Sequence, residues 1–258
     1  MELLQPVIET ARDVGGRLLE LYSPDARLPG RNAMLEAAAR LDATVRDPLR
    51  EALGRLRPAA RWVTDDEERA SLDAGEWWAV DDVEGAVNLL HGRPEWCVSI
   101  ALVRDGATAL AVVYQPVGDR LWTAAPGGGA FGDGRPLAVS PKAAFADAIV
   151  ETSQVGDEPA ELRARIGRAL GALMSRALLV RTTIPTTFPL LSVASGRSDA
   201  FWQYAPAVTG VAAATLLATE AGAVATDLSG APWRPGAADL LVAPPALHAG
   251  ALAALADL

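Results

Sequence analysis

The sequence predicts an α/β protein in two parts, an N-terminal α+β half followed by a C-terminal α/β half. Two amphipathic helical stretches open the chain, a series of short β-rich runs follows, and beyond residue 145 strand-like and helix-like segments alternate. Leu4, Val7, Ile8, Ala11, Val14, Leu18 and Leu19 recur at helical spacing, which predicts a helix over residues 2–22. "SPDARLPGRN" reads as a loop. Helical character returns near Met34 and continues to about Arg55. Pro48, preceded by Asp47, predicts either a kink or a restart with Asp47 as N-cap and Pro48 at the first helical position. "RWVT", "WWAVD", "CVSIALV", "TALAVVYQP" and "RLWTAA" then read as strands of an antiparallel meander, closed by the glycine-rich "PGGGAFGDGRPLAVS".

In the second half, "ADAIVETS", "ALLVRTT", "SDAFWQY", "AVATDL" and "DLLVAP" read as strands. Helices are expected over 159–175, 187–196 and about 210–221, with a final one from 245. The boundary falls near "SPKAAFAD", dividing residues 1–143 from 144–258 without a long linker.

The chain has 258 residues, half of them hydrophobic and 21% charged, which is a globular composition able to bury a core. A formal net charge of −9 argues against nucleic acid or an anionic membrane as the main partner. Cys97 is the single cysteine, so an intramolecular disulfide and a cysteine metal cluster are both excluded. Its setting in "WCVSIALV" reads as core. The acidic, amphipathic start "MELLQPVIETARD" lacks the basic region of a signal peptide, and no apolar run reaches membrane-spanning length. The expectation is a cytoplasmic protein with a small-molecule substrate.

The densest chemistry lies in "WAVDDVEGAVNLL". Asp81, Asp82 and Glu84 fall within four positions, followed at once by Gly85. Carboxylates at a strand end beside a tight turn can gather a hard cation such as Mg²⁺, while free backbone N–H groups in the turn receive phosphate. Solvated turn carboxylates are the competing reading. "WVTDDEER" supplies a second acidic group, Asp65, Asp66, Glu67 and Glu68. His91 is a candidate acid–base group at neutral pH. Ser99 and Ser195 have no histidine near them in sequence. "PGGGAFGDG" does not follow a strand into a helix, so a dinucleotide loop is excluded.

"WAVDDVEGAVNLLHGRPEWCVSIALV" resembles the signature W-x-I-D-P-I-D-G-T-x-N-F…P-x-x-x-V-S-I-A of the inositol monophosphatase family. "AVVYQP", "AAPGGGAFGDGRPLAVS", "ASGRSDAFWQ" and "TEAGAVATDLSG" resemble further blocks of that family in the same order, so the resemblance covers nearly the whole chain. It implies a layered αβαβα sandwich with the site between the halves, and a homodimer. It also implies Mg²⁺ held by Asp65, Asp81, the Val83 carbonyl and Glu84. Asp42 matches an acid near the family's metal site, and Arg31 stands where the family has a lysine.

The departures from the pattern cluster at this site. The acid matched to Asp65 is a glutamate in the family. Asp82 replaces a proline, Glu84 an aspartate, and Ala86 the threonine that positions the attacking water. The metal-binding aspartate of the family's W-D-x-A-A-G lies ten residues before the glutamate of E-A-G-G; ten before Glu220 stands Gly210. A longer arm at 84, no hydroxyl at 86 and no side chain at 210 all conflict with the strict octahedral demand of Mg²⁺. On the substrate side, Ile184-Pro185-Thr186 replaces a G-[ST]-A turn, Gln203 replaces a glutamate, and Ala207 stands in the apolar "YAPAVTG". Gly85, Ala86, Pro185, Thr186, Gln203, Ala207 and Gly210 are thus the expected substrate contacts, and they suggest a less polar ligand.

The resemblance and its departures imply an enzyme of small-molecule metabolism whose Mg²⁺-dependent phosphomonoester hydrolysis is lost or weak. Asp81, Glu84, Asp82 and Asp65 would act as acids and bases, since close carboxylates push one another's pKa apart. A Mg²⁺ phosphatase with rearranged ligands and a non-catalytic binding relative are the alternatives.

Overall fold

A computed structural model describes residues 2–72, 74–154 and 158–256. Helices α1 (Leu4–Leu21) and α2 (Arg31–Leu56) open the chain. Seven strands follow, β1 (Arg61–Trp62), β2 (Glu76–Glu84), β3 (Cys97–Arg104), β4 (Ala107–Gln115), β5 (Arg120–Ala124), β6 (Ala130–Gly132) and β7 (Arg135–Pro136), forming one sheet in sequence order. A short helix α3 (Ala86–Leu90) interrupts them after β2. The second half holds β8 (Ile149–Thr152), α4 (Ala160–Met174), β9 (Leu179–Thr182), α5 (Thr187–Ala194), β10 (Ala200–Tyr204), α6 (Val208–Glu220), β11 (Val224–Thr226), β12 (Asp239–Ala243) and α7 (Pro245–Leu255). Its five strands make a mixed sheet in the order β11-β12-β10-β8-β9.

Three apolar layers hold these elements in an αβαβα stack. Val7, Val14, Leu18, Leu41, Val45 and Leu53 of α1 and α2 pack on one face of the first sheet, against Trp78, Val98 and Val112. Its other face, with Ala79, Cys97, Ala111 and Val113, meets Leu190, Val211 and Leu217 of α5 and α6 and Phe201 of the second sheet. Ile166, Leu173, Leu247 and Leu255 of α4 and α7 cover the outer face of that sheet. Helix α6 is apolar on all sides because it lies between two sheets.

Two details differ from expectation. The meander is antiparallel from β2 to β7, but β1 runs parallel to β2, with Arg61 opposite Trp77 and Trp62 opposite Trp78. The long connection between those strands allows a parallel return, and no tight turn forces a hairpin. Of the two readings offered for Pro48 the restart is absent: helix α2 runs through it. Proline forfeits its own N–H bond to residue 44, and exposed Thr44 leaves that carbonyl to solvent. Asp-Gly pairs close two hairpins as two-residue turns with both residues at positive φ. Asp105-Gly106 (50° and 74°) joins β3 to β4, and Asp133-Gly134 (51° and 75°) joins β6 to β7. Among the described residues, no helix is long and apolar enough to cross a membrane.

Candidate active site

The site grows out of the last turn of β2. Asp81 pairs with Ser99 and Glu84 with Cys97, so three steps on β2 face two on β3. That bulge inserts one residue, which turns Asp81 and Glu84 onto the same side of a strand that would otherwise direct them to opposite faces. Gly85 follows at φ 93°, and a Cβ there would lie 2.8 Å from Pro185 Cγ and 2.9 Å from the Glu95 carbonyl oxygen. Both the backbone angle and the space demand glycine. Ala86 then begins α3. Asn88, buried at its middle, donates from Nδ2 to the carbonyls of Glu95 (2.8 Å) and Ile184 (3.0 Å). The Ile184-Pro185 segment, joined by a cis peptide, is thereby held against the turn.

Two helix N-termini point at these carboxyl groups. The Thr187 N–H, first in α5, donates to Glu84 Oε1 at 3.1 Å. At α6, Glu68 takes the Val208 N–H on its carbonyl at 2.9 Å. Its carboxylate takes the Thr209 N–H at 3.1 Å and the Thr209 hydroxyl at 2.5 Å. Helix N-termini are natural seats for anions; here the protein's own glutamates fill both. Gly210 faces the same point: a Cβ on it would lie 3.8 Å from Glu84 Oε2 and 3.8 Å from Thr186 Cβ.

Asp81 is hydrogen-bonded to Glu84. Burial, then the Glu84 charge, then that hydrogen bond hold the Asp81 carboxyl well above the usual range, against the Val83 N–H, which donates to Asp81 Oδ1 at 3.1 Å. Asp82 points toward α2, where Arg46 lies 3.7 Å away and itself binds Asp42 at 2.9 Å. Burial and the charges of Asp81 and Asp42 outweigh Arg46 and push Asp82 up to about 6. Asp81 and Asp82 open into a cleft of about 580 Å³. Asp65, Asp66 and Glu68 line it on one side, and Arg46, Arg50 and Trp62 on the other. The Arg50 guanidinium sits over the Trp62 ring at 5.3 Å.

The residues expected from sequence divide into groups. Asp81, Glu84, Gly85 and Gly210 converge. Asp65 lies exposed at the cleft's edge, while Glu68, three residues on, turns inward. Thr186 and Gln203 meet through Ser153, whose hydroxyl lies 2.9 Å from Thr186 Oγ1 and donates to Gln203 Oε1 at 2.8 Å. Pro185, Thr186, Gln203, Ala207 and Gly210 do not line the cleft. The open cleft is lined by carboxylates and two arginines together with Leu49, Trp62, Val63 and Val80. His91 lies outside it, its Nδ1 2.8 Å from the Val87 carbonyl oxygen. Arg46, Arg50, Trp62, Ser153 and Thr209 were not foreseen, and Glu68 was named only as a member of the second acidic group. The 46, 49, 50 spacing on one helical face was the available signal for the arginines.

Mg²⁺ needs several free oxygens around one point. Here Asp81 and Glu84 bind each other, Glu84 and Glu68 bind helix ends, Gly210 brings no oxygen, and Asp65 stands apart. Among the described residues, no three His, Cys, Asp or Glu side chains are grouped to hold a metal ion. As arranged, these groups do not fit Mg²⁺.

The chain is 36% identical to the inositol-1-monophosphatase of Rhizobium meliloti (strain 1021) over 190 residues, 70% of this chain and 68% of that one. The inositol monophosphatase of Anabaena superposes with a TM-score of 0.82 at 23% identity, covering 98% of this chain and 95% of that one. The extragenic suppressor protein suhB of Bartonella henselae superposes at 0.80 with 25% identity, covering 99% of both chains. The profile of the inositol monophosphatase family matches residues 2–258, so this chain belongs to the inositol monophosphatase family.

Proposed function

We propose that this protein is a small-molecule enzyme on the inositol monophosphatase fold in which conventional Mg²⁺-dependent phosphomonoester hydrolysis is lost or weak. The carrying observation is that Glu84 and Glu68 are engaged at the N-termini of α5 and α6. In that arrangement, phosphate meets carboxylate where it would otherwise meet free N–H groups. The Asp81 carboxyl, raised well above its usual range by burial and by Glu84, opens into the cleft beside that glutamate, so the pair suits general acid–base catalysis. Calorimetric Mg²⁺ titration, with phosphate release measured on sugar and inositol phosphates, tests this. Tight Mg²⁺ binding with turnover refutes it. Recovery of turnover in Gly210→Asp/Glu84→Asp/Ala86→Thr alone supports it.

A Mg²⁺ phosphatase with rearranged ligands is the second reading, favoured by Asp65, Asp66, Asp81 and Asp82 lining one open cleft. Cytoplasmic location and a homodimer belong to the same proposal. Leu178, Leu179 and Ile184 stand exposed along the edge strand β9, where a second copy would cover them. Sedimentation of the unmodified chain as a monomer at micromolar concentration refutes the dimer.

A further inference from the structure

A second groove, of about 610 Å³, lies between α5 and the β5–β7 end of the first sheet. It shares no lining residue with the cleft above Asp81. Its construction follows from strand register. Trp122 of β5 sits opposite Gly132 of β6, and Gly132 opposite Arg135 of β7, so all three belong to one row on one face. Arg120, two residues before Trp122, shares that face. Gly132 brings no side chain to the row, and a Cβ there would lie 3.1 Å from both Trp122 Cδ1 and Leu137 Cδ2. Glycine at this point lets the Trp122 ring and Leu137 close over the strand between Trp122 and Arg135. From the opposite wall, α5 contributes Phe188 and Ser192, and Arg197 reaches in from the turn before β10.

The charges here do not balance. Arg120 is paired with Asp133 at 2.5 Å. Among the described residues, neither Arg135 nor Arg197 has an ion pair or a side-chain hydrogen bond, and both are exposed. Three guanidinium groups thus face one carboxylate, in a chain whose net charge is −9. Guanidinium forks match phosphate and carboxylate oxygens in pairs. The volume lies in the range of small-molecule sites, roughly 300–1,000 Å³, and the Trp122–Phe188 side offers apolar contact. We propose that this groove binds a phosphorylated small molecule, its phosphate held between Arg135 and Arg197 and its body lying along Trp122 and Phe188.

The test is isothermal titration calorimetry of the unmodified chain with pyrophosphate, in chelator at low salt. One site per chain is expected. Arg135→Ala and Arg197→Ala are each expected to weaken it by about tenfold or more, the loss of a charge-assisted hydrogen bond. Arg46→Ala, in the other cleft, should leave the affinity unchanged. Since both groove side chains are exposed and, among the described residues, make no ion pair or side-chain hydrogen bond, circular dichroism should show each variant folded. Absence of binding, full affinity in the double variant Arg135→Ala/Arg197→Ala, or loss of binding in Arg46→Ala overturns the proposal.

Discussion

Replacing Glu68 with alanine removes the cap of α6, and the structure sets the size of the effect. The carboxylate accepts from the Thr209 N–H at 3.1 Å and from the Thr209 hydroxyl at 2.5 Å. A hydrogen bond to a charged group contributes about 1.5–3 kcal/mol, and loss of an N-cap side chain costs about 1 kcal/mol. The favourable position at a helix N-terminus adds about 0.3–1 kcal/mol. These describe overlapping parts of one interaction, so the expected loss is about 2–3 kcal/mol. For a chain of this size each kcal/mol moves Tm by about 2–4 °C, giving a fall of roughly 4–12 °C. Differential scanning calorimetry in chelator measures it, with Asp65→Ala as the comparison. Asp65 is exposed and, among the described residues, no side-chain hydrogen bond holds it inward, so its replacement should change stability by no more than about 0.5 kcal/mol. The difference between unmodified and Glu68→Ala protein should also persist when Mg²⁺ replaces the chelator. Equal effects at 65 and 68, or a Glu68→Ala midpoint within about 1 °C of the unmodified protein, would refute the assignment of Glu68 as the inward acid.

Two further outcomes follow from the geometry. Asp199 is buried, which opposes its ionisation, but the Ile149 N–H, the Lys142 ammonium 2.7 Å away and the Ser140 hydroxyl prevail and hold its carboxyl below the usual range. A depressed carboxyl pKa contributes stability above the unfolded value of about 3.9 and loses it as pH falls below that. The Tm deficit of Asp199→Asn should therefore be largest at neutral pH and shrink in acid; a constant gap from pH 7 down through the carboxylate range would show that the ionised form matters little. Gly85→Ala should destabilise by about 2–5 kcal/mol, combining a left-handed backbone with overpacking against Pro185. A thermal midpoint unchanged from the unmodified protein would contradict the described turn.

The fold was legible because its elements follow local rules. Apolar spacing marked α1, short β-rich runs marked the strands of the meander, and the uniformly apolar stretch before Glu220 became the helix between the sheets. Two features escaped because nearby sequence does not decide them. The direction of β1 depends on how a long connection returns. The choice between Asp65 and Glu68 depends on a helical turn begun by the Glu67 and Glu68 N–H bonds to the Thr64 carbonyl, which carries the chain past the residue that motif counting selects. The polar cleft was missed for a related reason, since Arg46 and Arg50 come from α2, outside every motif that marked the site.

Sequence comparison counts Glu84 and Gly210 as two separate departures from the family pattern, but in space they form one exchange. Glu84 is longer by one methylene than the aspartate expected there, and its Oε2 lies 3.8 Å from where a Cβ on Gly210 would stand. A carboxylate at 210 would crowd another buried carboxylate against Glu84, a pairing that costs stability without a cation between them. With glycine at 210, the longer arm of Glu84 extends into that space, and its other oxygen takes the first N–H of α5. The N-terminus of α5 is thereby satisfied by Glu84. Positions 84 and 210 thus bear on one point beside Asp81, and the proposed change of chemistry rests on the two together.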